Sequence, residues 1–568
     1  MSHAVPDSNA YRLLAALGAR GIHSLLANAG TDFAPLIEAE ALGRSRGVAM
    51  PRFVNVPHEH TAVSIAHGAH LASGLPQVVG VHHTVGTANT VSAVMTAARE
   101  RIPLLLLAGR TPSTEQGNIG SRDVIVHWGT DTFDQAGMIR EYTKWDHELR
   151  EGQCIESILD RALSIAMSEP RGPVYLTLPR EVLAGAAKPT LSRSRPGPGA
   201  SGAAPDSAAI RQLADWLLAA EHPVIVTSLA GRDPGAPEAL AMLAQTAAIP
   251  VVEHYPRVVN LPATHPFHAG FDPAELVAEA DLVISLDCEV PWIPRTTNPP
   301  ENARIVHLGI DPLFPRIPVR SFPVDAAIIG EAGAALRALH RALKPHCESD
   351  TPAMARRRLA ASQRQERRRQ EAMSMLQPPA DPDVIDPAWL SACLGEVIDD
   401  DCIVLNEYGL DLRQTALDKP GSFFSAGISG ALGWTLPAAL GIQMAQPRKT
   451  AIAVVGDGSY IFGNPVSCHY LAQAEQLPVL AIVLNNGGYT AVRRAVEVVY
   501  PDSVALQESV MPLAQFAPQP SYEGVAAACG AYAERVESRH ELRARLRTAL
   551  DIVRTEGRQV LLNVICKP

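Results

Sequence analysis

Short runs of Val, Ile, Leu and Ala, apolar at consecutive positions, recur along this chain and alternate with longer stretches whose apolar residues return at helical spacing. Runs that short and that continuously apolar predict strands buried on both faces, as parallel sheets require. Strands are expected at 24–27, 78–82, 104–107 and 174–178, then at 224–227, 282–286 and 305–308, and finally at 403–405, 451–455 and 477–484, with a last apolar run at 560–565. The alanine-rich segment 61–73 and the segment 464–476 predict helices between them. Strand followed by helix followed by strand gives βαβ units. Their right-handed crossovers bring the carboxyl ends of the strands to one edge, where open α/β sheets bind ligands.

Two breaks interrupt this alternation. Residues 186–207 have the Pro, Gly and Ser content of a linker, and the charged run 355–372 predicts a solvated helix leading into a Pro-rich connection at 378–387. The fold class expected is therefore α/β, with three doubly wound parallel-sheet domains at 1–186, 208–345 and 380–568. A chain of 568 residues that is 47% hydrophobic and 19% charged has ample material for several cores. No apolar stretch reaches membrane-spanning length, and the N-terminus lacks a basic flank followed by an apolar core, so a cytoplasmic protein is expected. The net charge of −10 argues against general nucleic-acid binding, while leaving room for an anionic substrate at a local basic patch. Eight cysteines without CxxC or His/Cys ligand spacing suggest neither a zinc site nor a disulfide framework.

Candidate chemistry concentrates where strands end. Gly456-Asp457-Gly458-Ser459 follows the strand 451–455, and Asn485-Asn486 follows the next one. Asp457 and Asn486 thus emerge into one crevice, and a carboxylate, an amide oxygen and a backbone carbonyl near Gly488 form the hard-oxygen set that Mg²⁺ prefers beside a substrate phosphate. The flanking glycines let backbone N–H groups approach that phosphate, and the following helix offers its N-terminus. Far upstream, Val56-Pro57-His58-Glu59-His60 opens the helix 61–73 with a carboxylate.

These two motifs together resemble the signature of the thiamine diphosphate-dependent enzymes, the group of pyruvate decarboxylase, acetolactate synthase, benzoylformate decarboxylase and 2-hydroxyacyl-CoA lyase. The resemblance covers essentially the whole chain, in the order pyrimidine-binding, central and diphosphate-binding domain. It implies thiamine diphosphate and Mg²⁺ as cofactors, with Asp457, Asn486 and Gly488 as metal ligands and Gly456, Gly458, Ser459 and Tyr489 around the diphosphate. Glu59 matches the carboxylate that bonds the aminopyrimidine, and Asn406, Tyr408, Gly430 and Leu432 complete the cofactor site, Leu432 as the wedge beneath its bent form. His82, in the segment His82-His83-Thr84-Val85-Gly86-Thr87-Ala88-Asn89, resembles a proton-relaying histidine of benzoylformate decarboxylase. Thr31 matches a small polar residue near the substrate carboxylate, and Gln135 one bordering the pocket.

The reaction implied is C–C bond cleavage or formation beside a carbonyl, with decarboxylation of a 2-oxo acid first and a 2-hydroxyacyl-CoA lyase or acetolactate-synthase-type carboligase as alternatives. The stretch 289–294 carries no histidine to match the second one of benzoylformate decarboxylase. Arg493 and Arg494 are candidates for a substrate carboxylate or a CoA phosphate. The end of the chain soon after 560–565 leaves no long basic tail, which disfavours a lid-type acyl-CoA lyase. Arg232 and Asp311 lie at strand ends of the central domain but, without a Gly-rich fingerprint, do not make a nucleotide site. A homodimer or homotetramer with active sites at the subunit interface is implied. A non-catalytic nucleotide-binding scaffold on the same sheets would predict the loss of Glu59, Asp457 or Asn486, and all are present.

Overall fold

A computed structural model describes residues 7–187, 199–377, 383–415, 417–508 and 510–566. Parts of the expected connections, 188–198 and 378–382, lie outside the described residues, as do 567–568.

Three parallel sheets carry the chain. The first contains β1 (Ser24–Asn28), β2 (Arg52–Asn55), β3 (Gln77–Val81), β4 (Leu104–Arg110), β5 (Trp145–Glu148) and β6 (Val174–Pro179), in the order β2-β1-β3-β4-β6-β5. The second contains β7 (Pro223–Thr227), β8 (Val251–Glu253), β9 (Leu282–Leu286), β10 (Arg304–Gly309) and β11 (Ala326–Ile329), in the order β11-β10-β9-β7-β8. The third contains β12 (Cys402–Glu407), β13 (Phe423–Ser425), β14 (Thr450–Gly456), β15 (Leu480–Asn485), β16 (Tyr532–Val536) and β17 (Val560–Ile565), in the order β13-β12-β14-β15-β17-β16. The α/β fold class expected from the apolar runs is the one observed. First and third sheets share one topology, so their switch points lie between equivalent strands, β1 and β3 in one and β12 and β14 in the other.

Strand ends moved by a few residues. The run 477–484 becomes β15 only from Leu480, and the helix expected at 464–476 spans Pro465–Ala474. The helix expected from residue 61 begins at Glu59, and the strand expected to include His82 stops at Val81, so that His82 instead caps the helix His83–Arg99. The charged run lies within a single helix, Pro352–Met375, which is solvated along most of its length and buries Met354 and Ala361.

One continuous core joins the first and third sheets through the helices Glu59–Ser73 and Thr435–Ala445. Their backbones nearly touch. A Cβ on Gly68 would stand 1.9 Å from the Ala438 carbonyl oxygen, and one on Gly441 would stand 2.0 Å from that of Ile65. Only glycine permits this approach, and it fixes the helix that begins at Glu59 against the third sheet.

Candidate functional site

In the third sheet β14 ends at Gly456, and Asp457 opens the short helix Asp457–Phe462. The Asp457 carboxyl is buried. Gly458 N–H donates to its Oδ1 and Gly487 N–H to its Oδ2, each at 3.0 Å. Burial pushes its pKa up to about 6 against the pull of those amides. Beside it, Asn486 presents a buried Oδ1 without a hydrogen-bond partner among the described residues. A desolvated carboxylate next to an orphaned amide oxygen fits a hard divalent cation, which would satisfy both. Gly488 passes so close to the following segment that a Cβ would stand 2.1 Å from the Ala514 carbonyl oxygen, and Gly458 leaves the place where a Cβ would meet the Tyr489 ring at 2.6 Å. Ser459 is buried in the same turn.

At the end of β12, Glu407 is buried and accepts from Gly433 N–H at 2.7 Å, Thr435 N–H at 3.0 Å and the Thr435 hydroxyl at 2.9 Å. It thereby ties the segment carrying Gly430 and Leu432 to the start of the helix Thr435–Ala445. Gly430 adopts φ 71°, and no atom lies within 4 Å of where its Cβ would be. Leu432 is half-buried. Asn406 accepts Leu410 N–H at its Oδ1, 3.2 Å away, and Tyr408 stands exposed at φ 58°.

In the first sheet Glu59 is buried at the first position of its helix, with Asn89 Nδ2 donating to its Oε2 at 3.1 Å. No basic side chain pairs with it among the described residues. His82 Nδ1 lies 2.5 Å from Asp32 Oδ1. A carboxylate only accepts, so Nδ1 carries the proton and Nε2 is left to exchange one. Gly30 makes room for this pair: a Cβ there would stand 2.0 Å from His82 Nδ1. Gly30 has φ −126°, so the need there is for space rather than for handedness. Gly109 serves Asp32 likewise, since a Cβ would fall 1.3 Å from its Oδ2. His83 is fully buried, with its ring centroid 3.9 Å from that of His82, and burial lowers its pKa to about 4. Ligand atoms of Asp32, His82 and His83 lie within 4.8 Å of one another, but Asp32 and His82 already satisfy each other.

Thr31 is exposed at the start of the turn Thr31–Phe33. Gln135 is buried and committed to the sheet rim: its Nε2 donates to the Gly109 carbonyl and the Tyr175 hydroxyl, each at 2.9 Å. Arg493 pairs with Glu497 at 3.2 Å, and Arg494 is exposed on a helix, Thr490–Val499, that buries none of its residues. Arg232 donates to the Arg101 carbonyl at 2.9 Å, bracing two domains. Asp311 lines a cavity of about 130 Å³ between the first and second sheets, shared with Arg99, Arg101, Lys144 and Arg316. His254 reaches the stretch 289–294, with Nδ1 2.8 Å from the Val290 carbonyl oxygen.

Sequence reasoning gave no role to Asp32, His83 or Asn89, and placed Glu407 in the cofactor segment 406–408 without its partners. Asp32 adjoins Thr31 and Glu407 lies between Asn406 and Tyr408, but their partners come from segments far along the chain.

Residues 9–138, 210–339 and 409–564 match the family models for the N-terminal TPP binding domain, the central domain and the C-terminal TPP binding domain of thiamine pyrophosphate enzymes. The chain is 27% identical to the acetolactate synthase isozyme 3 large subunit of Escherichia coli (strain K12) over 536 residues, covering 90% of this chain and 87% of that protein. It is 26% identical to benzoylformate decarboxylase of Pseudomonas aeruginosa over 529 residues, covering 90% and 91%. The structure of the thiamine diphosphate-dependent 4-hydroxybenzoylformate decarboxylase of Rhodococcus jostii RHA1 superposes with a TM-score of 0.78 at 24% identity, over 98% of each chain.

Proposed function

The chain belongs to the thiamine pyrophosphate enzymes, and on that premise we propose that it is a thiamine diphosphate- and Mg²⁺-dependent C–C lyase that decarboxylates a 2-oxo acid. Asp457, Asn486 and the Gly488 carbonyl would hold the metal; Gly456, Gly458, Ser459 and Tyr489 would border the diphosphate; Asn406, Tyr408, Gly430 and Leu432 would border the rest of the cofactor. When bound, thiamine diphosphate supplies a carbon nucleophile and an electron sink for breaking a bond beside a carbonyl. Glu59, buried and without a cation, suits the task of holding a proton against the aminopyrimidine ring.

The observation that carries decarboxylation is the Asp32–His82 pair. Conversion of a 2-oxo acid to an aldehyde replaces CO₂ by a proton, so the site needs an acid, and an imidazole oriented by a carboxylate provides one at Nε2. Thr31 stands on the same turn as Asp32, where it would meet the substrate. Gln135 supports that rim from below.

The site would be completed by a second chain, in a homodimer or homotetramer, with Glu59 of one protomer serving the cofactor of its partner. In support, Phe133, Ile125 and Leu513 stand almost wholly in solvent and Trp128 is half exposed, large apolar side chains of the kind that a subunit covers. We take the domains as 1–186, 208–345 and 380–568, and the cytoplasm as the compartment, since no helix among the described residues is long and apolar enough to cross a membrane.

The test is a turnover screen with thiamine diphosphate and Mg²⁺ over benzoylformate, pyruvate, branched 2-oxo acids and 2-hydroxyacyl-CoA esters, with products identified by mass. Aldehyde and CO₂ from an oxo acid, reduced at least about 100-fold in Glu59→Gln, are expected. Turnover of CoA esters alone would move the assignment to a lyase of that class, and carboligation products alone to a synthase.

A further inference from the structure

The segment 425–434, which carries Gly430 and Leu432, is held from outside its own sheet. Ser425 N–H donates to the Arg257 carbonyl at 2.9 Å, and Phe424 forms a backbone bridge with Val258. The hydroxyls of Thr96 and Ser429 share a hydrogen bond of 2.8 Å. Gly427 lies so close to Glu100 that a Cβ would stand 2.2 Å from Oε1. Glu100, Arg257 and Glu289 are all buried; Arg257 Nη2 donates to Glu289 Oε1 at 2.6 Å, and its Nε stands 3.6 Å from Glu100 Oε1. Arg257 stands between the two carboxylates and holds both, so its loss would leave buried charge uncompensated, while Glu100 fills the space against Gly427.

Thr96 and Glu100 close the helix His83–Arg99. Near the other end of that helix Asn89 bonds Glu59, and His82 is the N-cap. Its 17 residues span about 25 Å.

The geometry points to Thr96, Glu100 and Arg257 as positioning residues for the cofactor loop. They set where Gly430 and Leu432 stand without touching the cofactor, and through one rigid helix they tie that loop to the end of the domain that carries Glu59 and His82. The inference rests on the cofactor assignment above, because only then does the placement of 425–434 bear on binding. Glu100 and Thr96 act from the first domain and Arg257 from the second, so affinity for a ligand of the third domain depends on residues of the other two.

The experiment compares the full-length protein with Thr96→Val, Glu100→Ala and Glu100→Gln by two readouts. One is amide hydrogen exchange of 425–434 without cofactor; the other is the Kd for thiamine diphosphate with Mg²⁺ by calorimetry. Thr96→Val and Glu100→Ala are expected to speed exchange in that segment and weaken binding by about tenfold. Glu100→Gln, which keeps the shape and an acceptor oxygen, should stay within about threefold of the original protein. Exchange that rises equally across the second sheet would mean general destabilisation and overturn the inference. So would unchanged segment exchange and unchanged Kd. Should Glu100→Ala fail to fold, Thr96→Val decides alone. Failure of the unaltered protein to bind thiamine diphosphate would overturn the functional reading instead, and the exchange comparison would still show whether the brace exists.

Discussion

In the first sheet, the crevice beside β1 and β3 holds Asp32 against an imidazole; in the third, the equivalent crevice beside β12 and β14 holds Asp457 against backbone amides and an unpartnered amide oxygen. Strand order and direction are shared, although Asp32 follows β1 and Asp457 follows β14, the equivalent of β3. The neighbours differ. An imidazole 2.5 Å from a carboxylate is oriented by it through Nδ1. Two N–H donors hold the Asp457 carboxylate but bring no positive charge, so a cation would complete it under the proposed function. On the proposed function, one topology would supply a proton-handling half and a metal-holding half, with the chemistry in the side chains set on it.

The largest effect that would sharpen this contrast is expected from Asn486→Leu. Removing the orphaned oxygen should weaken thiamine diphosphate binding in Mg²⁺ by about 100-fold or more, read by calorimetry, with little change in thermal stability. An unchanged Kd would break the assignment of a metal to that crevice. Next, Asp32→Asn leaves His82 without its carboxylate and should lower kcat by about 10- to 100-fold. A drop in cofactor affinity instead would make Asp32 part of the binding machinery.

A smaller, pH-dependent effect follows from the buried imidazoles. Burial lowers the pKa of His60, His70, His83 and His307 to about 4 from the ordinary 6.5. The unfolded chain takes up these protons below about pH 6.5 and the folded chain only below about 4. Their stabilising contribution is therefore complete above 6.5 and is lost as pH falls toward and through 4. Thermal midpoints should fall steadily across that window, and His83→Gln should flatten the fall without altering the midpoint at pH 7.5 by more than a few degrees. Smallest of all, Arg494→Ala should change stability by less than about 0.5 kcal/mol in denaturant titrations, since the side chain is exposed.

The strands and crevices were legible in the sequence wherever burial on both faces made a run continuously apolar, as in β4, β9 and β14. Edge strands were not. β2, with the sequence RFVN, and β5, with WDHE, lie at sheet edges with only Val54 of their residues buried, and nothing in their composition separates them from loops. The crevice at Asp457 and Asn486 drew notice in the sequence because each of the two sits beside glycine at a strand end. In the first sheet the sequence offered Glu59, His82, Thr31 and Gln135 but not the carboxylate that pairs with His82. Asp32 depends on a partner 50 residues away, brought near by the pairing of β1 with β3. The partners of Glu407 were hidden for the same reason, since it acts on Gly433 and Thr435, 26 and 28 residues on. Their composition is ordinary, and only the fold makes them functional candidates.

The division between the two aspartates is tested most directly by titrating thiamine diphosphate, in Mg²⁺, into the unaltered protein, Asp457→Asn and Asp32→Asn in one calorimetric series. The account predicts that Asp457→Asn loses measurable binding while Asp32→Asn binds within about twofold of the unaltered protein. Binding that survives in Asp457→Asn, or that is lost in Asp32→Asn, would contradict it.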